Sequence, residues 1–179
     1  MIQSEPCTMS RDDAGQGRFD IAFCWCDKNR EITHSFVNAI PTPDGGTHGG
    51  AMRDGIQRAV KTYMETHELI PRGVAIMHED IREGLFAAIS LFISNPQFQG
   101  QTKGRLGNVD IRTWISNAVK NEAEAFLNSH PKAGKSIAEK IVLAARVRQA
   151  ARQAAQNVMQ TGKSSKKFNL PSKLTDCSS

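Results

Sequence analysis

A lysine close to a loop glycine is the most informative candidate for chemistry in this sequence. The segment 96–103 reads PQFQGQTK and ends on Lys103. Gly100 has no Cβ, so the backbone there can approach a ligand closely. A lysine in such a loop is a mobile point charge, and phosphoryl transfer from ATP needs cations around the γ-phosphate. Spacing alone favours an ordinary exposed lysine, so a phosphate-binding role needs further support.

A second glycine-containing segment lies upstream, where residues 44–48 read DGGTH. Glycines before a helix can cradle a phosphate at the helix N-terminus. The chain has no GxxxxGK[ST] segment, and residues 44–48 lack the GxGxxG spacing of dinucleotide sites. We therefore expect a tight strand-to-helix turn, with Thr47 as the N-cap of the helix.

The cysteines show no pattern typical of a metal site. The four are Cys7, Cys24, Cys26 and Cys177. None is in a CxxC pair or has histidines at zinc spacing, so no metal is assigned. Cys24 and Cys26 are two apart in a strand pattern and should share a face. A reduced, cytoplasmic chain is the simplest interpretation. No membrane partner is expected, because the longest apolar stretch, 85–93, is too short to span a bilayer.

Charge is distributed unevenly along the chain. Residues 131–173 carry ten Lys or Arg and one acid, a net charge of +9, whereas the remainder carries −4. Such asymmetry points to a polyanionic partner, with nucleic acid as the first candidate. A solvated helix followed by a disordered basic tail explains the charge equally well.

Strands are predicted from short apolar runs between turn signals. Residues 19–26 and 32–40 are expected to be strands paired as a hairpin, and 84–94 is expected to be a fully buried strand. Residues 1–17 are polar and contain glycine, which predicts a flexible segment.

Helices are predicted from apolar residues at helical spacing. Four helical segments are expected: 47–68, 78–83, 108–129 and 131–160. The apolar stripe of the third includes Glu122 as its weak point. The last helix is apolar nearly all round from Ile137 to Ala145, which predicts that other elements surround this half.

Four motifs in a fixed order resemble a known family. They are 35–42 (SFVNAIPT), 44–48 (DGGTH), 96–103 (PQFQGQTK) and 170–177 (LPSKLTDC). Together they resemble the ATPase subunit of bacterial type IIA DNA topoisomerases, namely gyrase B and topoisomerase IV B. The resemblance extends from Phe19 to Cys177 and concerns the transducer domain. Ser172 and Thr175 replace the family's glycine and alanine, and Ala51 stands where a glycine is usual.

The resemblance implies a fold and a domain organisation. The expected fold class is α/β (α+β), a two-layer sandwich with a left-handed βαβ crossover and a long C-terminal helix. Residues 18–161 would be the transducer domain, preceded by the flexible segment 1–17. Residues 162–179 would be a linker and the start of the metal-binding cleavage (Toprim) domain.

The resemblance also implies a function. Lys103 would be the catalytic contact to the γ-phosphate of ATP, with Gln101 assisting in binding. ATP would be held mainly by an upstream domain, and the Mg²⁺ ligands would lie outside this fragment. The fragment would couple ATP binding and hydrolysis to DNA strand passage and would be inactive alone.

Three partners are implied: double-stranded DNA, the topoisomerase A subunit, and a second copy of the ATPase subunit through its ATPase domain. The resemblance also implies that Arg146, Arg148 and Arg152 face the DNA backbone without base readout, rather than being merely solvated. The alternative hypothesis is a non-enzymatic basic module that binds nucleic acid through residues 131–173. A mismatch-repair or chaperone ATPase relative is a third hypothesis, which the DGGTH and QTK motifs together disfavour.

Overall fold

The computed structural model of this chain describes residues 5–164. The chain divides into two compact units, Met1–Ala145 and Arg146–Ser179. This division lies upstream of position 161, where the sequence predicted the end of the domain. Helix continues through Ser164, and the rest of the predicted linker and cleavage-domain start lies outside the described residues. No helix among the described residues is both long enough and apolar enough to cross a membrane.

The first unit is built on a five-stranded sheet. Its strands are β1 (Cys7–Asp13), β2 (Gly17–Trp25), β3 (Ile32–Val37), β4 (Ile40–Pro41) and β5 (Leu85–Phe92). The order across the sheet is β1-β2-β5-β3-β4. β3 runs parallel to β5, and the other neighbours are antiparallel. The sheet is therefore mixed, with the two parallel strands joined through the helical segment between them.

Helices and one small hairpin complete the fold. The helices are α1 (Thr47–Thr66), α2 (His78–Arg82), α3 (Ile111–Ser129) and α4 (Pro131–Ser164), and the hairpin strands are β6 (Phe98–Gln99) and β7 (Arg105–Leu106). α1 contacts β3 and β5, and α3 contacts β1, so these two helices form a second layer on the sheet. The α/β two-layer architecture expected from the sequence is present.

The predicted pairing of β2 with β3 is wrong. β2 pairs with β1 on one side and with β5 on the other, so both of its edges are occupied. The amide of Cys26 instead donates to the carbonyl of Gly84 at 2.8 Å. That bond directs the chain across the end of β5, where β3 can join the sheet as its parallel neighbour.

The predicted flexible segment 1–17 is also wrong where it includes β1. Cys7–Asp13 pairs with β2 over its full length, from Cys7↔Phe23 to Asp13↔Gly17. The Asp13 side chain accepts a bond from the Gly15 amide at 3.0 Å and closes the turn. Most of β1 is solvent-exposed, because it is an edge strand with one wet face. Its polar composition therefore hid it from a prediction based on apolar runs.

The turn between β3 and β4 contains an unusual alanine. Asn38 and Ala39 both have positive φ, 50° and 65°, as a two-residue type I′ hairpin turn requires. The Asn38 side chain donates to the Ile93 carbonyl at 2.9 Å and accepts from the Ile93 amide at 3.0 Å. Asn38 thus fixes the turn to the end of β5, whereas Ala39 gains no such contact and is strained.

We predict that Ala39→Gly stabilises the chain by about 0.5–1 kcal/mol, because glycine adopts a left-handed conformation without a Cβ clash. Asn38→Gly is the matched control at the neighbouring position. It also relieves strain but removes two hydrogen bonds, so we expect it to destabilise the chain by about 1–2 kcal/mol. Urea unfolding of both variants measures the difference, and equal shifts would contradict this explanation of the turn.

α1 and α3 pack closely because of one glycine. A Cβ added at Gly55 would lie 2.7 Å from the Ser116 carbonyl oxygen and 2.7 Å from the Val119 Cβ. On α3 the buried stripe continues through Ala123 and Leu127, and Glu122 is exposed. The predicted weak point at Glu122 therefore does not exist, since the helix turns that residue to solvent.

α4 begins against the C-terminal half of α1. A Cβ at Gly134 would lie 2.5 Å from the Tyr63 hydroxyl oxygen, so glycine permits this contact. Ile137 and Ile141 are buried, but Leu143 is 62% exposed. The expectation that this half is surrounded on all sides is therefore wrong for Leu143. In the second unit, the described side chains from 150 to 159 are exposed.

Candidate functional site

The QTK motif lies at the tip of the β6–β7 hairpin. Gln101, Thr102 and Lys103 are exposed. Gly100 has φ 79° and Lys103 has φ 55°, and the second value is strained for a residue with a side chain. The Lys103 Nζ lies 5.9 Å from the centroid of the Phe98 ring, a weak contact at an exposed site. The tip therefore presents a mobile ammonium group on a tightly turned backbone.

The DGGTH motif contacts this hairpin directly. The Asp44 amide donates to the Gly104 carbonyl at 3.0 Å, and the Leu106 amide donates to the Gly45 carbonyl at 3.2 Å. Gly46 forms a parallel bridge with Leu106. A Cβ at Gly46 would lie 2.5 Å from the Leu106 carbonyl oxygen. The two motifs are thus parts of one structure, joined through backbone atoms.

Asn108 closes the base of the hairpin. Its side-chain oxygen accepts from the Gln97 amide at 2.7 Å, and its amide group donates to the Asn95 carbonyl at 3.3 Å. The Gly107 amide donates to the Gln97 carbonyl at 2.7 Å. Asn108 is 7% exposed. The strands on both sides of the tip are therefore fixed at their ends.

A buried network of hydrogen-bonded side chains lies beneath the turn formed by the DGGTH motif. The Ser35 and Thr42 hydroxyl oxygens are 2.7 Å apart, and the Thr42 hydroxyl lies 3.3 Å from His48 Nε2. The Thr42 carbonyl accepts from the Gly45 amide at 2.9 Å. This network connects the SFVNAIPT and DGGTH motifs and orders the turn that contacts the β6–β7 hairpin.

The predicted N-cap role of Thr47 is wrong. Gly46 occupies the N-cap position with φ 139° and ψ −167°, and no side chain caps the helix. That backbone region is essentially restricted to glycine. Thr47 is instead the first helical residue, and its buried hydroxyl has no partner among the described residues. The close approach of Leu106 explains why the glycine stands at the helix boundary.

His48 is buried at the start of α1. Burial, with a smaller contribution from the Arg53 charge, lowers the pKa of His48 from 6.5 to about 4. The histidine is therefore neutral in the folded protein over a range where the unfolded chain takes up a proton. Folding stability must fall as the pH drops through this interval.

We predict that the chain loses up to about 3 kcal/mol of stability through His48 as the pH falls from 6.5 to 4. His48→Gln removes this titration and should flatten the pH profile of urea unfolding in that interval. The matched control is His78→Gln, which changes an exposed histidine. A profile that changes as much in the control as in His48→Gln would contradict the assignment.

The hairpin tip carries two hydrogen-bond donors. The exposed Lys103 ammonium and the neighbouring Gln101 amide can both donate to an anion such as a phosphate group. No described group of three or more His, Cys, Asp or Glu residues is placed to hold a metal ion. The hairpin tip therefore fits a contact to the phosphate end of a nucleotide.

The structure leaves Gln101 and Lys103 together at one exposed tip, as the sequence predicted. Reasoning from sequence missed the contact of Gly46 with Leu106 and the hydrogen bonds by which Asn108 closes the base of the hairpin. The sequence signal for the contact with Gly46 was Leu106 itself, an apolar residue in the segment between Gly104 and Gly107. In the structure Leu106 is 1% exposed. Arg146 and the other arginines predicted to face DNA belong to the second unit.

Comparison with known proteins identifies related chains. The family model for DNA gyrase B matches residues 1–157. The B subunit of DNA topoisomerase 4 from Francisella tularensis subsp. holarctica (strain LVS) is 36% identical over 179 residues, covering 98% of this chain and 28% of that protein. The B subunit of DNA gyrase from Thermotoga maritima is 36% identical over 165 residues, covering 89% of this chain and 25% of that protein. The chain thus spans about a quarter of the length of these curated relatives.

Two solved structures of related proteins superpose on this chain. The 43K ATPase domain of Thermus thermophilus gyrase B, in complex with an aminocoumarin, superposes with a TM-score of 0.80 at 30% identity, covering 86% of this chain and 41% of that one. The topoisomerase IV ATP-binding domain of Francisella tularensis, in complex with a small-molecule inhibitor, superposes with a TM-score of 0.75 at 37% identity, covering 82% and 41%.

Proposed function

The chain belongs to the DNA gyrase B family, and from that premise we propose that it is the transducer part of a bacterial type IIA topoisomerase ATPase subunit. In this role it couples ATP binding and hydrolysis in a neighbouring domain to DNA strand passage. The observation that carries the proposal is the strained, exposed Lys103 on a hairpin anchored by the DGGTH motif. Strain of this kind is typical of functional loops.

The hairpin is suited to a contact that forms and breaks. Lys103 is exposed and has no ion-pair partner among the described residues, so its charge is available to an incoming phosphate. The anchored strands on both sides limit motion of the backbone, which leaves the side chain to reach the ligand. A lysine delivered from a separate domain would complete the ATP site only when the domains close.

ATP, bound mainly by the upstream domain, would supply the transferred phosphoryl group and, with Mg²⁺ held outside this chain, the chemistry of hydrolysis. Within this chain, Lys103 would stabilise negative charge on the γ-phosphate, and Gln101 would orient the same group through its amide. Neither residue takes up a proton. Their contribution is positioning and electrostatic stabilisation.

The wider setting is also proposed. Double-stranded DNA, the topoisomerase A subunit and a second copy of the ATPase subunit would be the partners, and the location would be the cytoplasm. The exposed Arg146, with Arg148 and Arg152, would contact DNA phosphates in a salt-dependent manner. The connection from β3 through α1 to β5 would have the left-handed sense of the family, against the general preference for right-handed crossovers.

Fusion of this chain to an upstream ATPase domain tests the proposal. We expect the isolated chain to hydrolyse no ATP and the fusion to hydrolyse it faster than the ATPase domain alone. The second candidate, a basic nucleic-acid-binding module, predicts equal rates for the fusion and the ATPase domain. It also predicts that DNA binding resides entirely in the isolated chain. Equal rates would therefore overturn the transducer proposal.

A further inference from the structure

Two cysteines lie next to each other at the end of β2. Trp25, between them, is fully buried on the side of the helices, so Cys24 and Cys26 point to the opposite face of the sheet. Cys24 is 7% exposed and Cys26 is half-buried. Both are free thiols. The strand geometry therefore brings two sulfur atoms to one place.

The thiols open into a cavity of about 350 Å³. Its lining is mainly apolar and includes Ile32 and Phe86, and its charged members are Lys28 and Arg30. Neither of these basic residues has a partner among the described residues. The cavity thus combines two thiols with two unpaired positive charges.

Gly84 makes this arrangement possible. It has φ 76°, and a Cβ there would collide with the Cys26 carbonyl oxygen and lie 2.7 Å from the Lys28 carbonyl oxygen. The Cys26 amide donates to the Gly84 carbonyl at 2.8 Å. The segment after β2 therefore folds closely over Gly84, which fixes Cys26 and positions Lys28 at the cavity.

A soft cation suits these groups better than any hard one. Cys24 and Cys26 line the same cavity, so one cation can bind to both sulfur atoms. Thiolates select soft cations such as Cu(I), and two ligands suffice for a linear site. A monovalent cation with two thiolates carries one negative charge, which Lys28 and Arg30 would balance.

We propose that Cys24 and Cys26 bind one soft monovalent cation of the Cu(I) class as a two-thiolate site, with Lys28 and Arg30 balancing its charge. Two S–H bonds break, two S–metal bonds form, and two protons pass to solvent. No electron is transferred. The site is independent of the role proposed for Lys103.

Titration of the reduced, anaerobic chain with Cu(I), in competition with a chromophoric Cu(I) chelator, tests the site. We expect one Cu(I) per chain, and a loss of affinity of about 100-fold or more in Cys24→Ser and in Cys26→Ser. Cys177→Ser is the matched control and should bind as the unaltered chain does. Lys28→Glu with Arg30→Glu should weaken binding about tenfold. Unchanged affinity in Cys26→Ser, or one Cu(I) shared by two chains, would overturn the proposal.

A measurement on the unaltered chain covers the case in which a cysteine variant does not fold. Ag(I), which is redox-inert, should reduce alkylation of Cys24 and Cys26 by iodoacetamide and leave that of Cys177 unchanged, as read by peptide mass spectrometry. Equal alkylation of Cys26 with and without Ag(I) would contradict the site.

Discussion

Lys103→Ala should lower the ATPase rate of the complete subunit by about 10²–10³-fold, the effect typical of removing one donor that stabilises transition-state charge. The loss should appear in kcat more than in KM, because Lys103 would act on charge that develops during phosphoryl transfer. Lys103→Arg should retain part of the rate, since it keeps the charge but not the compact ammonium. Steady-state ATP hydrolysis measures all three proteins.

Two controls separate this loss from a loss of folding. Lys61→Ala removes an exposed lysine on α1, 60% accessible and paired with Glu65 at 3.8 Å, and should leave the ATPase rate unchanged. Lys103→Ala should also leave urea unfolding of this chain nearly unchanged, because the side chain is exposed. A decrease in rate smaller than about twofold would remove Lys103 from the proposed mechanism.

Gly46→Ala should destabilise the chain by about 1–3 kcal/mol and displace the Lys103 hairpin. Its φ of 139° and ψ of −167° lie in a region that is essentially glycine-only, where strain is of this size. The added Cβ would also lie 2.5 Å from the Leu106 carbonyl oxygen. Because that contact anchors β7, the complete subunit should lose ATPase activity along with stability.

Gly50→Ala is the matched control, four residues further along the same helix. Apart from the neighbouring backbone of the helix itself, no atom lies within 4 Å of the Cβ it would add, and alanine is the better helix former by about 1 kcal/mol. We therefore expect Gly50→Ala to be neutral or stabilising and fully active. If both substitutions proved equally harmless in unfolding and in ATP hydrolysis, the contact of Gly46 with Leu106 would not hold the hairpin.

Local pattern predicted the elements whose sequence signal is contained in one segment. The extents of α1, α3 and β5 followed from apolar periodicity and flanking breakers, within a few residues at each end. The predicted full burial of β5 is wrong, because Phe86 and Phe92 on it are each 41% exposed. The exposed tip with Gln101 and Lys103 followed from one glycine and a resemblance. In each case the signal lies within the segment itself.

Non-local pairing was not predictable in the same way. The choice of β5 rather than β2 as the partner of β3 depends on strands that are distant in sequence. β1 has few apolar residues because it lies at the sheet edge, and only Cys7 on it is fully buried. The DGGTH motif by itself predicts a turn, whereas the stricter requirement for glycine at Gly46 comes from Leu106, far along the chain. Such constraints arise from tertiary contacts that no local pattern records.

α1 has a mechanical consequence that follows from its two ends. Its first turn is joined to the Lys103 hairpin through Gly46 and Leu106, and its later turns meet the start of α4 where Tyr63 packs on Gly134. A helix of 20 residues is about 30 Å long. Close-packed protein interiors transmit strain because they compress little. We therefore expect that a displacement of the Lys103 hairpin is transmitted along α1 and moves the start of α4.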